Sequence, residues 1–350
     1  MVDLSAYAGQ VIEVGFYFES HNIPGGDCNY FDYDVAPGWY VDDVEVVTGP
    51  LGFAGPEGFE GGWHDWHAEG GTWEIGQPTS GPAKAHGGLN CAATILAGNY
   101  PDGVDSWLIS PSFVVPAASL NPRLRFWHWF EFSCGDFGQV QIRRTHEAWQ
   151  TLATYSPTSG GVWSEPGFDL SAYGGQTVEL GFHFQSTNSP DCFFHQEDVA
   201  SGWYIDDVNV VTGPISIPNP QDFESGLGDW RVEGGTWEVG RPGSGPGAAR
   251  SGVNCAATVL AGNYADDTSG RLASPVLVVP PLNQNPRLRL WHWYSFNCGD
   301  FGQVQARRGN GPWQVLSTIT GMGGGVWSPW VLDLSAFAGQ AIEIGFYFES

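Results

Sequence analysis

The chain has 350 residues, a formal net charge of −25, and 50 glycines and 24 prolines. This charge repels phosphate backbones and anionic bilayer surfaces, so we expect neither nucleic-acid binding nor membrane insertion. The many turn formers argue against a helical protein, and an aromatic content of 14% argues against a disordered one. The composition therefore favours an all-β fold.

The sequence repeats itself with a period of about 164 residues. The segment DLSAYAGQVIEVGFYFES at 3–20 returns in close copies at 169–186 and 333–350, and GWYVDDVEVVTGP at 38–50 returns at 202–214. A period of this length is that of a whole domain. We expect residues 1–50 to be the C-terminal part of a preceding repeat. Residues 51–214 form one complete repeat, and residues 215–350 a following repeat that lacks its last strands.

Alternation of apolar and polar residues predicts strands at 11–19, 177–185 and 341–349. The segments 123–132 and 287–296 place leucine, phenylalanine and histidine on one face, and arginine and tryptophan on the other. Strands bounded by Gly, Pro and Asn at short intervals predict a tandem of two-sheet antiparallel β-sandwiches. His128 and His292 fall on the apolar faces, where we expect core histidines rather than metal ligands or bases.

A candidate metal site lies in the strand YIDDV at 204–208. By alternation Tyr204, Asp206 and Val208 share one face, so Asp206 is predicted to point into the sandwich. A buried carboxylate is costly unless it is paired or bound to a metal, and calcium is the cation expected for oxygen ligands. The alternative is an aspartate that is hydrogen-bonded to backbone at a turn. The candidate ligands are Glu60, Asp65, Asp206 and Asp207 in the complete repeat, Glu224 and Asp229 in the following repeat, and Asp42 and Asp43 near the start.

The six cysteines come three to a repeat and form no CxxC pair, which argues against a zinc site. Cys134 and Cys192 both follow strands, which favours a bridge between them. By the same rule Cys298 and Cys28 lack partners within the chain, so a Cys298–Cys28 bridge would join two copies. The alternative is that all six are reduced. Two cysteines that lie in small-residue strands are expected to be buried free thiols, namely Cys91 and Cys255.

Four tryptophans on the arginine-bearing faces form a candidate glycan or protein interface. The alternative is that loops cover them and that arginine stacks on their rings. They are Trp127, Trp129, Trp291 and Trp293.

The quoted segments, with GGTWE-[IV]-G and the WHW strand, resemble the MAM-like jelly-roll modules of secreted bacterial surface proteins. These include the modules appended to immune-inhibitor-A-type metallopeptidases and the choice-of-anchor-J proteins. The resemblance implies a concanavalin-like jelly roll, an extracellular, secreted or cell-surface location, and an adhesive or accessory role. It also implies a calcium ion between Glu60 and the aspartates Asp206 and Asp207. The HExxH motif of the peptidase relatives is missing, so their activity is not implied. No nucleophile–base or acid pair recurs in the repeats, so we expect no enzyme.

Two functions follow as expectations. The first is a structural extracellular repeat protein, whose near-identical units assemble head-to-tail into a surface fibre or filament. In this arrangement a neighbouring copy completes the missing strands. The alternative is a glycan-binding or adhesive accessory module of a secreted bacterial protein.

Overall fold

The computed structural model describes residues 4–19, 38–46, 52–53, 55–145, 147–187, 198–215 and 220–350. The chain divides into two compact units, Met1–Pro50 and Leu51–Ser350. The described helical elements are three-residue 3-10 turns at Ser5–Tyr7, Ala118–Leu120, Ser171–Tyr173, Leu282–Gln284 and Ser335–Phe337. Within the same residues, no helix has the length and apolar character needed to span a membrane. The predicted all-β class is confirmed.

The complete repeat folds as two antiparallel sheets. One sheet has the order β1-β4-β10-β7-β8, with β5 also paired to β10, and the other has the order β2-β3-β11-β6-β9. The strands are β1 (His67–Glu69), β2 (Glu74–Gly76), β3 (Cys91–Ala93), β4 (Asp105–Ile109), β5 (Phe113–Val114), β6 (Arg123–Glu131), β7 (Phe137–Arg144), β8 (Gln150–Tyr155), β9 (Gly167–Asp169), β10 (Thr177–Gln185) and β11 (Gly202–Val211).

The core between these sheets is built by the alternation that the sequence predicts for β6 and β10. Leu124, Phe126 and Phe130 of β6 meet Leu180 and Phe182 of β10, and all five side chains are buried. An apolar side chain of this size contributes about 1.5–3 kcal/mol when it is fully buried. The two-sheet antiparallel sandwich is therefore confirmed.

The prediction of which side chains of β11 point into the core is wrong. Trp203 and Ile205 belong to the core between the sheets, whereas Tyr204 packs with Trp129 on the opposite face. Asp206 therefore lies outside the sandwich core, although it is completely buried. The register of β11 against β6 shifts between Asp206 and Asn209, and such a bulge turns later residues to the other face. Simple alternation across 204–208 missed this bulge.

The following repeat has one intact sheet and one divided sheet. The intact sheet has the order β12-β15-β21-β18-β19, with β16 paired to β21, whereas β13-β14 and β17-β20 are separate two-stranded ladders. The strands are β12 (Arg231–Gly234), β13 (Glu238–Gly240), β14 (Cys255–Ala257), β15 (Ser269–Ala273), β16 (Leu277–Val278), β17 (Arg287–His292), β18 (Phe301–Arg307), β19 (Gln314–Thr320), β20 (Ser328–Asp333) and β21 (Ala341–Glu349).

The division falls where the complete repeat has its central strand. β11 pairs with both β3 and β6, and β14 and β17 are the sequence counterparts of these two strands. Leu288, Leu290 and His292 are only half-buried, whereas the equivalent side chains of β6 are buried. The core of the following repeat is therefore open along this gap.

The unit Met1–Pro50 contains no strand among residues 4–19 and 38–46. The strand predicted at 11–19 is therefore not formed, and all of its side chains are exposed. Its copy β10 pairs with β4, β5 and β7, and residues 1–50 hold no counterpart of these partner strands. In an extended segment without a partner strand, the backbone N–H and C=O groups form their hydrogen bonds with water.

The complete and following repeats are joined by a polar junction within Leu51–Ser350. Arg123 forms an ion pair with Asp229 at 3.0 Å, and the guanidinium of Arg125 donates to the carbonyls of Gly228 and Trp230. A Cβ atom placed on Gly235 would lie 2.3 Å from the Cα of Ser159, so the backbones are in direct contact. This junction fixes the two repeats against each other.

Backbone amides of β17 should exchange with solvent at least about tenfold faster than those of β6, because β17 lacks the central neighbour that protects β6. Hydrogen exchange read by mass spectrometry or NMR measures the difference. β18 and β7 serve as the matched control, since each lies between two partners, and they should exchange alike. Equal protection of β17 and β6 would contradict the open sheet.

Candidate functional site

The paired aspartates of β11 are held by backbone amides. The Asp206 carboxylate accepts from the Asp207 N–H at 2.7 Å and from the Gly87 N–H at 3.0 Å. Asp207 has a φ of +49°, the left-handed conformation that non-glycine residues seldom adopt. This turn matches the alternative weighed from the sequence, an aspartate hydrogen-bonded to backbone.

Burial raises the pKa of Asp206 to about 7, and the negative charge of Asp207 adds to this. The amide donors, including the backbone of His86, act in the opposite direction without cancelling the effect. A carboxyl group that stays protonated near neutral pH is sensitive to any cation nearby. The carboxyl group of Asp206 is therefore much less acidic than that of an ordinary aspartate.

Glu60 approaches the same loop from the other side. Its Oε1 accepts from the N–H groups of Leu89 and Asn90, both at 2.8 Å. The Nδ1 atom of His86, at the start of this loop, lies 2.8 Å from the Oδ2 atom of Asp207. The early glutamate and the aspartate pair therefore hold one loop, residues 86–90, between them.

The following repeat keeps half of this arrangement. Glu224 accepts from the N–H groups of Val253 and Asn254, at 2.9 and 2.8 Å, as Glu60 does in the complete repeat. Its candidate co-ligand Asp229 is instead bound to Arg123 at the repeat junction. In the complete repeat Asp65 accepts from the Gly52 N–H at 3.5 Å.

Asp42 and Asp43 lie in the other unit and are exposed. Across the residues described in both units, no group of three or more histidine, cysteine or acidic side chains is arranged to hold a metal ion. The ligand set Glu60, Asp206 and Asp207 supplies hard oxygen atoms around one loop, and calcium there stays a prediction.

The candidate tryptophans are covered to different degrees. Trp129 is 6% exposed, and Trp127 stacks against His86 with the ring centroids 3.7 Å apart. In the following repeat Arg250 takes the place of His86 and lies 4.0 Å over the ring of Trp291. Trp291 is nevertheless 42% exposed, so its ring is the most accessible of the four.

The fourth tryptophan, Trp293, is half-buried. A Cβ atom on Gly245 would lie 2.9 Å from its ring, so the loop that contains Gly245 packs directly against the indole. The loop covering and the arginine stacking that the sequence left open as alternatives both occur.

A cleft of about 110 Å³ opens at the repeat junction beside Trp127. Its walls include Trp127 and Glu165 from the complete repeat and Trp237 from the following one. The indole N–H of Trp237 is buried without a hydrogen-bond partner. Burial raises the pKa of Glu165, an effect opposed by Arg125 at 3.4 Å. Sequence reasoning missed Glu165 and Trp237, although GGTWE marked Trp237 as a repeated position.

A second junction cleft of about 250 Å³ lies between β8 and β15 and is mainly polar. Its lining includes Thr154, Ser156 and Thr158 from the complete repeat and Glu233 and Arg271 from the following one. Neither cleft could be found from the sequence, because each exists only where two repeats meet.

The cysteines partly follow the sequence expectations. Cys134 is disulfide-bonded, whereas Cys91, Cys255 and Cys298 are free. Cys91 is buried, Cys255 is half-buried and Cys298 is exposed. Both partners proposed for the bridges lie outside the described residues, so the Cys134–Cys192 and Cys28–Cys298 pairings stay predictions.

His128 is a neutral core histidine. It is completely buried, and burial lowers its pKa to about 3. The Trp203 indole N–H donates to its Nδ1 at 3.4 Å. His292 is half-buried with a lowered pKa for the same reason.

Part of the chain is similar in sequence to a known protein. Over 173 residues, 48% of this chain, the sequence is 33% identical to Bacillopeptidase F of Bacillus subtilis (strain 168). The match spans 11% of that protein's length. No family model matches the chain, so the MAM-like assignment stays a resemblance.

Three solved structures are similar to parts of the chain. TmCBM61 in complex with β-1,4-galactotriose has a TM-score of 0.33 and 15% identity, covering 45% of this chain and 94% of its own. The K3 cleaved adhesin domain of Lys-gingipain from Porphyromonas gingivalis has a TM-score of 0.29 and 18% identity, covering 45% and 97%. The CBM22-1–CBM22-2 tandem of Paenibacillus barcinonensis Xyn10C has a TM-score of 0.27 and 15% identity, covering 84% and 88%. Similarity at this level carries no argument about function.

Replacing Asp206 by Asn should stabilise the calcium-free protein at about pH 8 and have little effect at about pH 4. Because the pKa of Asp206 is higher in the folded than in the unfolded state, protonation of this carboxyl group stabilises the fold. The stabilisation is complete below the unfolded-state pKa and is lost as the pH rises through about 7. Asparagine mimics the protonated form, so the gain above pH 7 should be about 1–4 kcal/mol. Urea unfolding in EGTA at both pH values measures it.

The exposed equivalent Asp42→Asn is the control and should change neither value. A loss of stability at both pH values in Asp206→Asn would show that the ionised carboxylate is needed by the fold.

Proposed function

We propose that the chain is a non-catalytic accessory module of an extracellular protein and that its sandwich repeats bind a glycan. The cleft bounded by Trp127, Glu165 and Trp237 carries the proposal. It combines two indole rings with a carboxylate and an unpaired N–H donor.

The chemistry of this cleft suits a sugar. Indole rings pack against the apolar C–H faces of a pyranose, while a carboxylate accepts from its hydroxyl groups. A buried donor without a partner costs about 1–3 kcal/mol, and a sugar oxygen at the Trp237 N–H would remove this cost. The volume of about 110 Å³ is below the ~300–1,000 Å³ of pockets that enclose a whole small molecule. The cleft would therefore take the edge of one sugar ring.

Two observations support an extracellular accessory role. Cys134 is disulfide-bonded, and disulfides persist in oxidising compartments. A segment of Bacillopeptidase F resembles nearly half of this chain, which is the pattern expected for a module that accompanies a peptidase. The substrates and partners of that protein are not transferred to this chain.

Self-assembly into a surface fibre is the second candidate function. The near-identical repeats favour it, because equivalent head-to-tail junctions between such units can extend without closing.

Calcium at Glu60, Asp206 and Asp207 forms part of the proposal. These carboxylates fit the oxygen preference of calcium, and Asp206 is completely buried. A bound calcium ion would neutralise the local negative charge. The two sides of the 86–90 loop, held by Glu60 and by the aspartate pair, would then be tied together.

Trp237→Phe tests the glycan site, because it keeps a ring in the cleft and removes the N–H donor. Wild-type protein should bind at least one oligosaccharide on a glycan array. Calorimetry with that sugar should show at least about tenfold weaker binding by the variant. Trp73→Phe, at the equivalent position of the complete repeat, is the matched control and should bind normally. Absence of any glycan ligand, or unchanged affinity in Trp237→Phe, would refute the assignment.

Calcium should raise the melting temperature of the protein by several degrees at about pH 8, and EGTA should reverse the shift. The shift should shrink below about pH 7, where Asp206 takes up a proton that competes with the cation. Asp206→Asn should lose the shift, whereas the exposed Glu69→Gln should keep it. Identical melting curves with calcium and with EGTA would remove calcium from the account.

A further inference from the structure

The polar junction cleft between β8 and β15 has one wall that is specific to the following repeat. Three consecutive residues of β15 line it, namely Ser269, Gly270 and Arg271. The same positions of β4 in the complete repeat are occupied by Asp105, Ser106 and Trp107. The following repeat therefore has a guanidinium group in place of an indole, and it lacks the acidic side chain. These changes make this wall of the cleft more cationic.

The arginine of this wall belongs to a cluster of ion pairs on the outer face of the intact sheet. Glu233 contacts three guanidinium groups, those of Arg231 at 2.9 Å, Arg271 at 2.8 Å and Arg307 at 3.3 Å. Glu343 lies 2.5 Å from Arg231 and from Arg307. Burial alone would raise the pKa of Glu233, but the guanidinium groups hold it below its ordinary value. Three guanidinium groups thus face two carboxylates, a local excess of positive charge in a protein of net charge −25, and such an excess attracts anions.

Arg271 is held in a fixed orientation with one nitrogen atom available. Its Nη1 and Nε atoms donate to Glu233 and Gln305, both at 2.8 Å, and within the described residues its Nη2 atom has no hydrogen-bond partner. The ring centroids of Trp313 and Tyr347 lie 4.7 and 5.0 Å from its Cζ atom. Stacking of this kind fixes the plane of a guanidinium group. Arg271 is therefore a preorganised donor.

The floor of the cleft holds a buried hydroxyl group without a partner. Thr236 is 2% exposed, and its Oγ1 atom makes no hydrogen bond. A Cβ atom on Gly270 would lie 2.3 Å from this Oγ1 atom, so the hydroxyl group faces the bare side of Gly270, which lines the cleft. In the complete repeat the counterpart Thr72 bonds the hydroxyl group of Ser106 at 2.6 Å. Glycine at this position removes that partner and leaves the hydroxyl group of Thr236 to a ligand.

The size and the lining of the cleft suit one sugar ring. Its volume of about 250 Å³ is just below the ~300–1,000 Å³ of pockets that enclose a drug-sized molecule. Hydroxyl-bearing side chains of the complete repeat form the opposite wall, namely Thr154, Ser156 and Thr158. A wall of this kind offers donors and acceptors to a ligand with several hydroxyl groups. A carboxylate on the same ligand would pair with the guanidinium group of Arg271.

We propose that the polar junction cleft binds one uronic acid residue of an acidic glycan, with its carboxylate on Arg271 and its ring hydroxyl groups on Glu233 and Thr236. This site is separate from the tryptophan-lined cleft proposed above and does not depend on it. A uronate compensates the excess positive charge of the cluster, whereas a neutral sugar leaves it uncompensated.

Titration of the full chain with glucuronate and with galacturonate, followed by NMR, tests the ligand class. Glucose and galactose are the neutral counterparts, and EGTA is present so that no calcium ion links the sugar carboxylate to the protein. At least one uronate should bind at least about tenfold more tightly than its neutral counterpart. Equal affinities, or no binding of either uronate, would overturn the proposal.

Arg271→Gln tests the position of the carboxylate and should weaken uronate binding at least about tenfold. Arg143→Gln is the matched control on the corresponding sheet of the complete repeat. Arg143 pairs with Glu179 at 2.6 Å, and its Cζ atom lies 4.2 Å from the ring centroid of Trp149, so the control also removes an ion pair and a stacked cation. It should bind the uronate as the wild type does. Unchanged affinity in Arg271→Gln, or an equal loss in both variants, would overturn the proposal.

Ser156→Glu is a second variant that leaves the ion-pair cluster intact. Ser156 is exposed at the rim of the cleft, so the added negative charge should repel the uronate and weaken its binding about two- to fivefold. Ser251→Glu makes the same change at an exposed position outside the cleft and should keep the wild-type affinity. Identical uronate affinities in these two variants would contradict the proposed site.

Trp237→Phe distinguishes this site from the tryptophan-lined cleft and should leave uronate binding unchanged. Uronate binding that is lost in Trp237→Phe and kept in Arg271→Gln would support the tryptophan-lined cleft and overturn the uronate site. Loss in Arg271→Gln alone supports the uronate site, whatever the outcome for other sugars in Trp237→Phe.

Discussion

The second sheet of each sandwich depends on one central strand, because that strand is the only partner common to its two halves. In the complete repeat β11 joins β3 to β6 and inserts Trp203 and Ile205 into the core. Where the counterpart is absent from the described residues, the sheet divides into two ladders. The apolar side chains of β17 then become half-exposed. The first sheet and the repeat junction do not require this strand.

The same strand also organises the polar chemistry of the complete repeat. Its bulge holds Asp206 and Asp207 against the 86–90 loop, and Glu60 holds the loop from the other side. His86 of that loop stacks on Trp127, which forms one wall of the junction cleft. The carboxylates, the covering loop and the candidate glycan cleft are therefore connected by direct contacts.

The sequence was sufficient to predict the class of fold and the repeat. Alternation identifies the core faces of β6 and β10, and close copies of several segments identify the period. It was insufficient where geometry is not periodic. The bulge after Asp206 reversed the predicted face of the aspartate, and the strand expected at 11–19 does not form because a ladder needs partners. The roles of Glu165 and Trp237 could not be inferred, because residues about 70 positions apart meet only at the junction of two repeats.

Strand addition to the open sheet is tested most directly by hydrogen exchange of β17 with and without a synthetic peptide of residues 36–50. The measurement uses the full chain and compares amide protection at Arg287–His292. If the sheet needs its central strand, saturating peptide should slow exchange there to the level of β6 and leave β18 unchanged. Exchange in β17 that ignores the peptide would contradict the account.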